Sequence, residues 1–320
     1  MTTVAIATAP VPVVVEASRR MMGGLVSVHL RVDPGRGTAA DVDRSAKRVL
    51  DRLETWARRL SRFEPDSELS RLNTMPDTQV VVGPTMTAVF DWARVAEVMT
   101  DGMVDVSMLD ARLAAEDGTP IHRPVGATRR WSLAHGPRGA VLRREAGVRF
   151  DLDGVAKGWL ADRALAIAPG DTALVDGDGD IAARVAPGDE LLVGVADPRD
   201  GDGSLAVVRL AGTVSAARDG RPARFGLATS GTSVHRWVRG GAAAHHLIDP
   251  LTWQPADTDV IQATVLADSA RVAEAAAKAA VLAGSDRAPA VLDRSGIRGA
   301  LLLTTSGELR ATPGMLPWLA

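Results

Sequence analysis

The chain has no cysteine among its 320 residues, which excludes disulfides, thiolate metal sites and cysteine nucleophiles without deciding the compartment. A surplus of either charge is missing too. Lys and Arg number 37 against 39 Asp and Glu, a net of −2, too weak a field to gather polyanions, so nucleic acid is not an expected partner. The arginines at 58, 59 and 62 then read as the solvated side of a helix. No apolar run suits a membrane span. The opening stretch, MTTVAIATAPVPVVVEASRR, holds two prolines and no basic residue ahead of its apolar part. It reads as a flexible lead over residues 1–18 of a cytoplasmic protein rather than as a signal peptide. There is no repeat of roughly 20 to 50 residues, no low-complexity linker, no GxGxxG turn and no GxxxxGK loop. Apolar residues at 46% and charged residues at 24% are the balance of a globular chain able to bury a real core.

What is present is a change of hydrophobic period along the chain. Residues 25–32, LVSVHLRV, alternate with Val26, Val28, Leu30 and Val32 on one side, the pattern of a half-buried strand. From about 39 to 60, Val42, Ala46, Val49, Leu50, Leu53, Trp56 and Leu60 keep the helical period, and Thr38 with Asp41 can cap its start. SRFEPDSELSRLN, 61–73, is a polar connection with one aromatic, Phe63, and a short helix over 67–72. Pro84 opens a second long helix that reaches Met99 and stops at Asp101-Gly102. DGMVDVSMLDA sets Asp105 and Ser107 in an apolar run, so at least one polar group faces a cavity or a partner. FDLDGVAKGWLADRALAIA, 150–168, passes from an extended start into a helix ended by Pro169-Gly170. Strands are then expected at 172–176, 190–196, 205–210, 213–217, 226–230 and 260–267, and an Ala-rich helix at 269–283. Helices in the first half and strands in the second imply an α+β fold, one domain over 19–320 with a mixed or antiparallel sheet.

The chemistry-bearing stretches are short. HHLIDP, 245–250, places two imidazoles and a carboxylate on an apolar run that reads as a strand stopped by Pro250, with His246 and Ile248 on one face. Histidine is the side chain most readily used as a base near neutral pH; a polar strand end with an Asp-Pro turn is an equally ordinary reading. Gly154 and Gly158 flank Lys157 in the first turn of a helix, where free N–H groups and an ammonium suit a phosphate, a weak signal by itself. DGDGD, 176–180, imitates the start of a calcium loop, but Pro187 stands where the closing Glu belongs, and calcium is rejected. LATSGTS, 227–233, surrounds Gly231 with small hydroxyl residues, which suits either close approach of a ligand or a tight turn. Glu274 and Lys278, four apart with the acid first, read on their own as an exposed ion pair.

In order and spacing, SRFEPDSELSRLN, DGMVDVSMLDA, DLDGVAKGWLADRA, ALVDGDGDI, ATSG, HHLIDP and the Ala-rich helix with its closing Leu-Ala-Gly resemble the FAD:protein FMN transferases, the ApbE-type flavin transferases, from about 19 to 310. The resemblance implies an FAD-binding α+β domain that cleaves the FAD pyrophosphate and attaches FMN to a threonine of an acceptor protein, releasing AMP, with no nucleic-acid or membrane partner. By position it implies that Phe63 stacks on the flavin where the family usually has tyrosine, and that Met103, Val104 and Asp105 line the FAD site. Asp151, Lys157, Ile248, Thr229, Ser230 and Gly231 are implied FAD contacts. Gly154 matches the residue whose carbonyl reaches Mg2+, and His246 matches the family's general base, with Lys157 and Asp249 in the implied catalytic group. The chemistry agrees, because a threonine hydroxyl is a poor nucleophile until a base takes its proton, and phosphoryl transfer otherwise rests on positioning and cations. The chain departs from the family in two places. Asp249-Pro250-Leu251-Thr252-Trp253 stands for Asp-Pro-Arg-Thr-Gly, losing a cation and adding bulk. Glu274 and Lys278 stand for a metal-binding Asp and a hydroxyl residue; a protonated lysine cannot ligate Mg2+, so Lys278 is read as a replacement cation in the FAD site and Glu274 as the remaining metal-ligating acid. The alternatives are an FAD-binding protein with reduced or lost catalysis and an FAD pyrophosphatase.

Overall fold

The computed structural model describes residues 12–33, 35–122, 130–136, 139–200, 203–212, 221–233, 236–239 and 242–320. In chain order its elements are β1 (Val13–Met21), β2 (Gly24–Val32), α1 (Ala39–Leu60), α2 (Glu68–Thr74), β3 (Gln79–Val82), α3 (Pro84–Met99), α4 (Leu109–Asp117), β4 (Trp131–Gly136), β5 (Gly139–Arg144), α5 (Ala156–Ile167), β6 (Thr172–Gly177), β7 (Asp180–Val185), β8 (Glu190–Ala196), β9 (Ser204–Ala211), β10 (Ala223–Gly231), β11 (Arg236–Arg239), β12 (Ala242–His245), β13 (Val260–Ala267), α6 (Ala270–Arg294), β14 (Gly299–Thr304) and β15 (Leu309–Ala311).

Eight strands, ordered β1-β2-β6-β7-β10-β13-β14-β15, make one sheet, and each neighbouring pair is antiparallel. Alternation along each strand gives that sheet two apolar faces. Val26, Val28, Leu30, Val175, Ala182, Ala228, Val265 and Leu302 join α1, α3, α5 and α6 in the larger core. Ile181, Ala183, Val185, Phe225, Leu227, Leu266 and Leu301 face the β8–β9 hairpin on the other side. Local chemistry sets the boundaries. Thr38 and Asp41 form the expected capping box on α1, and Pro84 stands in the first turn of α3. The DGDGD insert is a hairpin turn: Asp178 and Gly179 have φ of 65° and 90°, as a two-residue turn between right-twisted strands requires, and Asp176 Oδ1 accepts the Gly179 N–H at 2.7 Å.

Three expectations change. Residues 13–18 of the expected lead belong to β1, paired along its length with β2; the expected strand at 213–217 lies outside the described residues. The Ala-rich helix does not end near 283. It breaks at Gly284 (φ 74°) and resumes to Arg294, with Asp259 accepting both the N–H and the hydroxyl of Ser285 at the break. Arg62 is not a solvated helix side chain: it lies past the end of α1 with its side chain 14% exposed.

Alanines make α6 thin, so it sinks against the sheet and α5 with Ala273, Ala275, Ala276, Ala277, Ala279 and Ala280 all buried. Its first backbone N–H groups, on Ala270 and Arg271, are capped at 3.0 and 3.1 Å by Asp162 of α5. A Cβ on Gly226 would fall 2.0 Å from the Ser269 carbonyl carbon, a clash with backbone that no side-chain shift relieves. Gly226→Ala is therefore expected to cost about 1–3 kcal/mol in urea unfolding, and Gly194→Ala, with nothing within 4 Å, less than about 0.5 kcal/mol. Equal values for the two would remove this account of α6 docking.

Candidate active site

The site forms where the segment entering α5, the start of β7, the buried side of α6 and the residues after β12 converge. The Asp151 N–H donates to the Val106 carbonyl at 2.8 Å, tying this segment to 103–107, and the Asp153 N–H donates to Asp151 Oδ1 at 3.1 Å. That tight turn leaves Gly154 at φ 99°, a conformation that side-chain-bearing residues rarely adopt. A Cβ there would also meet Lys278, at 2.7 Å from Cδ and 2.9 Å from Nζ. Lys278 reaches the turn from α6 and donates from Nζ to the Asp153 carbonyl at 3.2 Å.

Arg112 of α4 organises the charges. Its Nη1 donates to Asp151 Oδ2 at 3.1 Å and Asp153 Oδ2 at 2.5 Å, and its Nε to Glu116 Oε1 at 3.0 Å. Arg62 Nη2 donates to the same Glu116 oxygen at 3.0 Å. Burial opposes the charge on Arg112, but Asp151 and then Asp153 outweigh it and raise its pKa. Burial likewise opposes the charge on Asp153, yet Arg112 and then Lys157 hold its carboxyl well below the usual range, with His246 adding to that pull. Asp151 goes the other way, raised by burial and then by the Asp153 charge.

Lys157 Nζ lies 3.4 Å from Asp180 Oδ2, and that carboxylate, outweighing the cost of burial, raises the lysine above its ordinary value. Burial pushes Asp180 up to about 6 against the pull of Lys157. Glu274, 2% exposed, is raised well above the carboxyl range by burial and then by Asp180. Its Oε2 accepts the Gly158 N–H at 3.0 Å, and its Oε1 is buried without a hydrogen bond. Glu274 is thus no member of an exposed ion pair.

These residues do not fit a magnesium ion. Among the described residues no three of His, Asp and Glu group as ligands, one Glu274 oxygen is committed to backbone, and the Lys278 ammonium stands against Gly154 where the cation was expected.

The remaining expected residues divide. Phe63 is 76% exposed with the Arg62 guanidinium 4.2 Å from its ring centroid. Val104 is core, 1% exposed, while Met103 packs at the core edge. Asp105 Oδ1 accepts the Ser107 N–H at 2.7 Å and hydroxyl at 2.8 Å. The Thr229 hydroxyl meets that of Thr264 at 2.8 Å, and Ser230 and Gly231 close strand β10. What needs a glycine at 231 is the partner strand, since a Cβ would lie 2.8 Å from the Ile261 carbonyl oxygen.

HHLIDP is less regular than its alternation suggested. β12 ends at His245, and only an isolated bridge, Ile248 to Pro255, follows. Leu247 enters the main core, whereas Ile248 packs with Met108, Ala111 and Trp253. His245 is structural, its Nε2 meeting the Ala256 carbonyl at 3.1 Å while its Nδ1 accepts the Leu247 N–H at 3.3 Å. Asp249 heads the turn, its Oδ1 accepting the Leu251 N–H at 2.8 Å. The bulk at 253 is absorbed: Trp253 is 5% exposed, and the Arg130 guanidinium covers its ring at 4.7 Å while donating from Nη1 to the Ser107 carbonyl at 3.1 Å. An arginine distant in sequence thus comes to the segment where the resemblance implied one. Arg112, Asp153, Asp180 and Glu116 were missed by sequence reasoning; the spacing of Arg112 and Glu116 on one helix and the acid opening the apolar run DIAARV were the available signals.

The ApbE family model matches residues 22–301. A Treponema pallidum protein named FAD:protein FMN transferase is 31% identical over 185 residues, covering 54% of this chain and 48% of that protein, so the chain spans about half the length of that relative. A Vibrio cholerae protein of the same name is 23% identical over 323 residues, 96% of this chain and 93% of that one. Among solved structures, the ApbE protein of Thermotoga maritima superposes with a TM-score of 0.75 at 22% identity over 96% of this chain and 99% of its own. The apo form of the Pseudomonas stutzeri flavinyl transferase ApbE gives 0.74 at 19% identity, over 96% and 97%. With the family model spanning nearly the whole described fold and the same architecture recurring in these structures, the chain belongs to the ApbE family.

Proposed function

We propose that the protein is an FAD:protein FMN transferase, which cleaves FAD between its phosphates, joins FMN to a threonine hydroxyl of an acceptor protein and releases AMP. The observation that carries this reading is the Asp153–Gly154 turn, which receives the Arg112 guanidinium on the Asp153 carboxylate and the Lys278 ammonium on the Asp153 carbonyl, with Lys157 at Asp180 beside it and the charge of His246 bearing on Asp153. Cations there would neutralise pyrophosphate oxygens, and an imidazole beside a carboxylate held charged can take the hydroxyl proton. Phe63, left exposed at the site's edge, is the surface offered to the flavin ring. Asp249, bound up in its own turn, orients the segment after His246 and is given no proton-transfer step.

Incubation with FAD and a flavin-acceptor domain, followed by mass spectrometry, tests the whole reading. The expected result is acceptor heavier by one FMN, with AMP released in equal amount. Free FMN and AMP with unmodified acceptor would make the protein a pyrophosphatase, and intact FAD on the protein with neither product would make it a binding protein.

A further inference from the structure

We infer that Lys278 is a tethered cation that stands in for a divalent metal, so that the protein holds the phosphates of FAD on Lys278 and Lys157 without magnesium. The inference rests on the proposed use of FAD and concerns how that same site binds it.

Lys278 sits on the buried side of α6, and its ammonium is delivered to the Asp153–Gly154 turn, where a Cβ at residue 154 would collide with it. One of its three protons goes to the Asp153 carbonyl, which leaves two donors for a ligand. Glu274, one helical turn earlier, does not bond it: its Oε2 takes the Gly158 N–H and its Oε1 is buried without a hydrogen bond. Lys157, three residues after Gly154 in the first turn of α5, carries its ammonium 3.4 Å from Asp180 Oδ2, and its charge also acts on Asp153. Two ammonium groups on separate helices thus flank one backbone turn, an arrangement suited to an anion with oxygens on two linked phosphates. A divalent ion placed beside the same turn would meet the ammonium's like charge, and among the described residues no three acids or histidines group so as to ligate it.

The test is FAD titration followed by flavin fluorescence, in excess chelator and in millimolar magnesium, on the wild-type protein, Lys278→Met and Lys278→Arg, with thermal melts as folding controls. Wild-type affinity is expected to agree within about threefold in the two conditions. Lys278→Met should weaken binding in chelator by about tenfold or more, and Lys278→Arg should keep most of it. Loss of wild-type FAD binding in chelator with recovery in magnesium overturns the inference, as does a Lys278→Met protein that binds like wild type. Should Lys278→Met fail to fold, the wild-type comparison decides alone. Absence of FAD binding in both conditions would overturn the proposed function and this inference with it, whereas metal-independent binding without transfer would overturn only the transferase reading.

Discussion

Arg112→Met is expected to lower the unfolding free energy by about 3–5 kcal/mol, because it takes the shared guanidinium away from the buried Asp151 carboxylate and from Asp153, whose side chain is 35% exposed. Asp151 and Asp153 lie on a single turn and both bond Arg112 Nη1; methionine keeps much of the volume and removes all of the charge. The loss should depend on pH in a defined direction. Asp153 is depressed in the folded state below its ordinary value of 3.8, so its contribution is present above that value and fades as pH falls through the folded one. The gap between wild type and variant should therefore be full at neutral pH and narrow on acidification below about pH 4. Urea denaturation at pH 7 and at about pH 2.5 reads both effects. Arg59→Met, at a site whose side chain is 47% exposed, should stay within about 0.5 kcal/mol. A similarly small effect at Arg112 would mean that the turn needs no clamp.

The second large effect is on rate. His246→Ala is expected to slow FMN transfer by roughly a hundredfold or more, the usual size of a lost general base, and to leave FAD affinity within a few-fold. The split is what matters. His246 follows a strand end that His245 pins to the Ala256 carbonyl, an anchor that His246→Ala leaves in place. Parallel losses of binding and rate would assign His246 to positioning, and an unchanged rate would remove it from the reaction.

Much of the fold was readable because its signals are local. The Thr38–Asp41 capping box, Pro84 at the head of a helix and the alternation from Val26 to Val32 each act within a few residues, and each appears where expected. Residues 13–18 were misread because a strand that pairs by hairpin looks, beside two prolines, like an apolar lead. The second half of α6 was hidden by Gly284 and Pro289, which announce an end when the helix is judged alone; the cap from Asp259 comes from a neighbouring loop. At the site, resemblance pointed to Lys157, His246 and Lys278, but the residues that set their charges come from elsewhere in sequence. Arg112 and Asp151 are 39 positions apart, and Lys278 and Asp153 are 125. No periodicity within a window can bring such pairs together. Gly231 was legible as a close-approach glycine, although the neighbour was a strand rather than a ligand.

The cap that Asp162 places on α6 also sets a scale along that helix. With Ala270 and Arg271 fixed to it, every later residue has a defined height and bearing, at about 1.5 Å and 100° per step. Asp162 is in effect the zero mark of a ruler on which position 278 happens to read out at the Asp153–Gly154 turn. A single residue inserted before 274 would swing both Glu274 and Lys278 about 100° round the axis, exchanging them for neighbouring alanines without altering any residue at the site. Past the break at Gly284 the ruler starts again from Asp259, and a change of length there would leave the reading at 278 untouched.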